Sequence, residues 1–217
     1  MRLNPIGLAL DMTGDAASRV GEDRFDGVIF DMDGTLVEPL LDFAGIRSRL
    51  GVPPGQGILE AIEAMPPPQR SGASRWLVGQ ELAAAAEAKL MPGAAEAVEA
   101  IRRAGLKTAL MTRNTRRAME IVLTKLSLRF DLAWSREDGP VKPSGDGIVL
   151  VCRQMGVLPR RAACVGDFEY DVLAANAAGA YSILLASGER PSWADQARCV
   201  IKSLFEMPGV LGISGAP

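Results

Sequence analysis

After Asp26 the chain reads Gly27-Val28-Ile29-Phe30, apolar at every position, and then stops abruptly at Asp31. A run with no polar alternation belongs to a strand covered on both faces, the environment of a parallel sheet. Similar runs recur at Lys107 to Met111, Leu132 to Trp134, Ala162 to Val165, Tyr181 to Leu185 and Cys199 to Ile201. Between them lie helical patterns at Ala94 to Ala104, Thr115 to Leu126, Gly147 to Met155 and Tyr170 to Ala178. Gly105, Gly156 and Gly179 stand where helix C-termini favour a residue tolerant of positive φ. Strands alternating with helices of this length imply right-handed βαβ units, and so an α/β fold on a doubly wound, mostly parallel sheet. Such sheets bind ligands at the carboxyl ends of their strands.

The stretch from Val37 to Leu90 breaks the alternation. It carries helical patterns at Leu40 to Leu50, Ile58 to Ala64 and Ser74 to Lys89 with no strand between, punctuated by Pro53-Pro54 and Pro66-Pro67-Pro68. Residues 38–90 therefore read as a small all-helical domain inserted into a core of residues 25–37 and 91–217, with hinges near Pro39 and at Met91-Pro92-Gly93. Residues 1–24 show no sustained period and read as an extension. Beyond Pro191 the sequence adds a last short strand and helix.

Composition narrows the chemistry. There is no histidine, which excludes Ser-His-Asp triads, Cys-His pairs and His-ligated zinc. Catalysis must run on carboxylates, Lys, Thr or a metal. The 24 Lys plus Arg against 26 Asp plus Glu give no electrostatic footprint for nucleic acid or an anionic membrane surface. Cys152, Cys164 and Cys199 form no CxxC pair and read as reduced thiols. No apolar stretch approaches the ~18 residues of a membrane span, and Leu8-Ala9-Leu10 is too short for a signal-peptide core, so the expected compartment is the cytoplasm.

Four motifs carry chemistry. Asp31-Met32-Asp33-Gly34-Thr35-Leu36 places two carboxylates at the end of the first buried strand; a turn or a calcium loop would also use them, but Val37 to Leu41 lack the ligands of an EF-hand. Leu110-Met111-Thr112-Arg113-Asn114 puts a hydroxyl at the next strand tip, ahead of a helix start that suits phosphate, or serves only as an N-cap. Lys142-Pro143-Ser144 holds a lysine in a loop, where a lone lysine is usually solvated. Cys164-Val165-Gly166-Asp167-Phe168-Glu169-Tyr170-Asp171 ends a strand in one acid and opens a helix with another, which could merely complement the helix dipole.

Taken in this order, the four motifs resemble the haloacid dehalogenase (HAD) superfamily over most of residues 26–190. The resemblance implies a HAD-like, Rossmann-type core with a helical cap. It makes Asp31 the nucleophile, Asp33 the general acid and base, Thr112 and Lys142 the phosphoryl-binding groups, and Asp167 and Asp171 the metal-site acids. Asp42 to Arg47, Thr112-Arg113-Asn114 and Ser135 to Asp138 look like a phosphoglycolate phosphatase-like subgroup. Gly145 departs from the pattern, which would place a proline there and stiffen the loop of Lys142.

Carboxylates converging at one sheet edge repel unless a cation sits among them, and oxygen ligands without His or Cys favour Mg²⁺. The expected ligands are Asp31, Asp33 through its backbone carbonyl, and Asp167, with Asp171 ordering a bound water or Lys142. Met32, Gly34, Thr112, Arg113, Asn114 and Lys142 would bind the phosphate, and Arg47, with Arg49, Arg70 and Arg75 as further candidates, a second anionic group. The expected activity is Mg²⁺-dependent hydrolysis of a small phosphorylated metabolite, phosphoglycolate- or sugar-phosphate-like, through an aspartyl-phosphate. A sugar phosphomutase and an idle ligand- or partner-binding member are the alternatives. Oligomeric state is not legible.

Overall fold

The computed structural model describes residues 25–213; the extension read over residues 1–24 lies outside them. Six strands form one parallel sheet: β1 (Gly27–Phe30), β2 (Lys107–Met111), β3 (Leu132–Trp134), β4 (Ala162–Gly166), β5 (Tyr181–Leu185) and β6 (Cys199–Ile201). Eight helices accompany them: α1 (Phe43–Leu50), α2 (Ile58–Glu63), α3 (Pro67–Glu87), α4 (Ala94–Arg103), α5 (Arg116–Lys125), α6 (Asp146–Met155), α7 (Glu169–Ala178) and α8 (Met207–Val210). The strand order is β3-β2-β1-β4-β5-β6. The chain winds outward from β1 through β2 to β3, then returns across β1 to lay down β4, β5 and β6. Its direction of travel therefore reverses between β1 and β4, and the connections diverge there to leave a crevice.

Strand geometry sends successive side chains to opposite faces, so a run that is apolar throughout feeds two cores. Val28, Phe30, Leu110, Val165 and Ile183 pack with Ala97 and Ile101 of α4, Val122 of α5 and Met207 of α8. Ile29, Ala109, Met111 and Cys164 face the other way, onto Ile148 and Val151 of α6 and Ala175 of α7. Phe30 is wholly buried, which alone stabilises the sheet by about 2 kcal/mol.

Between β1 and α4, helices α1 to α3 close a small core of their own around Ile46, Ile62 and Leu77. The two segments joining this insertion to the sheet run side by side: Glu38 N donates to Lys89 O at 3.0 Å and Met91 N to Leu36 O at 2.9 Å. Two helix starts differ from those expected by more than one residue. The first begins at Phe43 rather than Leu40, because the Asp42 carboxylate accepts from Gly45 N at 2.9 Å and caps it. The third begins at Pro67 rather than Ser74: proline is tolerated in a first turn, whose N–H groups have no intrahelical partner. Among the described residues no helix is long and apolar enough to cross a membrane.

Candidate active site

The crevice is furnished by residues that immediately follow strands. Asp31 follows β1, its N–H donating to Val165 O at 2.9 Å, and Thr112 follows β2, its N–H donating to Trp134 O at 2.9 Å. Asp167 follows β4 and Asp171 lies in the first turn of α7. Lys142 arrives from the β3–α6 loop and is 5% exposed. Two glycines leave the room these acids need. A Cβ on Gly34, whose φ is +77°, would lie 2.1 Å from Asp167 Oδ2, and one on Gly166 would lie 2.1 Å from the Asp171 carboxyl carbon.

Lys142 Nζ bridges two carboxylates, reaching Asp31 Oδ1 and Asp171 Oδ1, the latter at 2.5 Å. Burial opposes its charge, but Asp171 and Asp31 outweigh burial and hold the ammonium above its ordinary range. The same burial raises the carboxyls. Asp31 is pushed well up by desolvation, with Lys142 pulling back and Asp171, Asp167 and Asp33 adding to the rise. Asp167 is pushed to about 7 by burial and by Asp171.

Asp33 sits apart from that bridge. Its Oδ2 accepts from Asn114 Nδ2 at 2.9 Å, and Asn114 N donates to Thr112 Oγ1 at 3.1 Å, so the loop after β2 fixes both Asp33 and Thr112. Burial and then the neighbouring Glu81 raise Asp33 to about 6. Glu81 comes from α3 in the insertion and is 3% exposed. It accepts from Thr115 N at 3.2 Å and pairs with Arg136. Glu81 gave a signal in sequence that was not read: it stands between Leu77 and Ala85 on the buried stripe of α3, where a charge demands a partner.

Arg113 donates to Lys142 O at 2.5 Å, lies 4.8 Å over the ring of Tyr170, and pairs with both carboxylate oxygens of Glu60 at 2.7 and 2.8 Å. Met32 buries its side chain in the sheet core. Gly34 N–H donates to Val37 O at 2.8 Å within its own loop, so this residue contributes space rather than a donor to phosphate. Arg47 reaches the cavity, but its guanidinium donates to Pro53 O and Gln56 O. Arg49 stacks over Trp76, Arg70 pairs with Glu63, and Arg75 is exposed on α3; none of the three lines the site cavity. Gly145, which departs from the proline pattern, abuts the backbone of Ala177 and Ala178 at the end of α7.

Oxygens of Asp31, Asp167 and Asp171 all lie within 4.8 Å of one another. Three carboxylates, Asp171 buried and Asp31 and Asp167 half-buried, with one ammonium among them carry excess negative charge, which adds to burial in raising Asp167. A hard divalent cation fits this set, since all its donors are oxygen.

The sequence profile of the haloacid dehalogenase-like hydrolases matches residues 25–179. A haloacid dehalogenase-like hydrolase domain-containing protein of Arabidopsis thaliana is 33% identical over 174 residues, covering 75% of this chain and 71% of that protein. A phosphoglycolate phosphatase of Chromobacterium violaceum is 28% identical over 83% of this chain and 93% of its own. In fold, the chain is similar to a hydrolase from Pseudomonas syringae, with a TM-score of 0.74 at 19% identity over 88% of this chain and 99% of that one. A profile match running from just before β1 to the end of α7 takes in every strand-tip residue of the crevice: the chain belongs to the haloacid dehalogenase-like hydrolases.

Proposed function

We propose that this chain hydrolyses small phosphomonoesters in two steps through a phosphoaspartyl intermediate on Asp31. The observation that carries the reading is the convergence of Asp31, Asp33, Thr112 and Lys142 with Asp167 and Asp171 on one edge of the sheet. In the first step an Asp31 oxygen bonds to phosphorus as the P–O bond of the ester breaks, and Asp33 gives its proton to the departing oxygen. A proton affinity near 6 lets Asp33 carry that proton and lose it near neutrality. In the second step Asp33 takes a proton from water, whose oxygen bonds to phosphorus. Inorganic phosphate leaves, the Asp31 carboxylate is restored, and Asp33 is again protonated.

Lys142 and the Thr112 hydroxyl would hold the phosphoryl oxygens, with the N–H groups of Met32 and Arg113, and Asn114 keeps Asp33 in reach of the ester oxygen. Asp31, Asp167 and the backbone carbonyl of Asp33 would hold Mg²⁺, with Asp171 steadying Lys142. Mg²⁺ supplies, when bound, the positive charge that lets a carboxylate approach a phosphate dianion. The rest is positioning and charge neutralisation, as phosphoryl transfer requires.

Two readouts test this. Phosphate release from a panel of phosphomonoesters should cease on chelation, return with Mg²⁺, and fall by about 10³-fold or more in Asp31→Asn. Independently of turnover, Mg²⁺ should raise the melting temperature of the wild type but not of Asp167→Asn, since a cation bound only by the folded chain stabilises it. Full activity in chelator, or an active Asp31→Asn, would remove the assignment.

A further inference from the structure

Above the acids lies a cavity of about 540 Å³ roofed by the inserted helices. That is ample for an organic group well beyond the phosphate itself. Its roof is apolar: Leu41, Phe43, Ile58, Leu59 and Leu77 face Tyr170 across it. Its cations are three, and each is already engaged. Lys142 lies between Asp31 and Asp171. Arg47 is oriented by two neutral carbonyls, its Nη1 donating to Pro53 O and Gln56 O. Arg113 is held on one side by Lys142 O and the Tyr170 ring and on the other by the paired oxygens of Glu60. Glu169 adds a negative charge to the lining, while Glu81 is paired with Arg136.

Accepting this chain as a phosphomonoester hydrolase, we infer that its cavity selects esters whose organic group is uncharged and apolar, and that Glu60 enforces the choice by occupying Arg113. A second anionic group on the substrate would have to displace the Glu60 carboxylate from Arg113 or draw Arg47 away from the carbonyls that hold it. An alkyl or aryl group would displace water from the roof leucines at no such cost. Phosphoglycolate, named for relatives of this chain, carries a carboxylate one carbon from the ester oxygen and meets that obstacle directly.

The full chain, saturated with Mg²⁺, is assayed on straight-chain alkyl phosphates from ethyl to hexyl, on phenyl phosphate, on phosphoglycolate and on glucose 6-phosphate. We expect kcat/KM to rise about threefold to fourfold per added methylene until the roof is filled. Phosphoglycolate should fall about tenfold or more below phenyl phosphate. Glu60→Gln removes the counter-charge from the Arg113 guanidinium, and the phosphoglycolate-to-phenyl phosphate ratio should rise about tenfold. A flat alkyl series, or preference for phosphoglycolate or the sugar phosphate, overturns the selection rule while leaving hydrolysis intact; an unmoved ratio in Glu60→Gln overturns the part given to Glu60. Silence against every ester by a chain with an unchanged melting temperature removes the hydrolase reading, and this inference with it.

Discussion

The two carboxylates that approach glycine show how narrowly the site is fitted. Gly34 holds a φ of +77°, and the place of its missing side chain is filled by Asp167. Gly34→Ala should cost at least about 1 kcal/mol from the left-handed backbone alone. It should also displace Asp167, so that phosphate release collapses while the chain stays folded; a urea melt beside an activity assay separates the two effects. Asp31 and Asp167 were legible because a carboxylate ending an apolar run is anomalous, and Lys142 only through the resemblance that the order of the four motifs carries. Glu60 and Glu81 were not read. Each is an ordinary helix charge until the fold brings Arg113 or Arg136 to it across more than fifty positions of sequence.

Among the elements, short and largely apolar runs located the six strands, including the three-residue β3 and β6, although β2 opens with Lys107-Thr108 and β5 holds Ser182. Helix ends were harder, since they depend on caps rather than on the apolar stripe. Asp42 starts α1 through a bond to Gly45 N, and Pro67 starts α3 although a triplet of prolines suggests a break. The β3 edge has a further anchor: Asp131 Oδ2 accepts from Thr108 N at 2.8 Å and from its hydroxyl at 3.2 Å. The Thr108 N–H is the main cause that lowers the proton affinity of Asp131, with Lys107 assisting. A depressed carboxyl stabilises the fold above its unfolded value of about 3.9 and loses that contribution as pH falls through the folded value. Asp131→Asn should therefore cost about 0.5 to 1 kcal/mol at pH 7, modest because the group is partly exposed. The gap to wild type should narrow below about pH 4, as urea melts across that range would register.

At the scale of the whole molecule, the inserted helices lie over the sheet edge, joined to it by apolar packing of α3 and by a few polar pairs. The sheet presents the strand-tip acids, and the insertion supplies the roof and the pairs Glu60–Arg113 and Glu81–Arg136. With the roof in place the Asp31 side chain keeps only 12% exposure. Bulky phosphorylated macromolecules should consequently be excluded: a folded phosphoprotein should release no measurable phosphate under conditions where phenyl phosphate is turned over, whereas comparable rates would mean that the roof does not gate the site.

The paired segments joining roof to sheet have a mechanical corollary. Because Glu38 is bonded to Lys89 and Met91 to Leu36, the two strips form a ribbon rather than two independent tethers. A ribbon resists shear between its edges, and α3 packs its Ala85 into the main core, so the insertion is held in one register over the sheet edge. That register is what sets α2 over the crevice with Glu60 opposite Arg113.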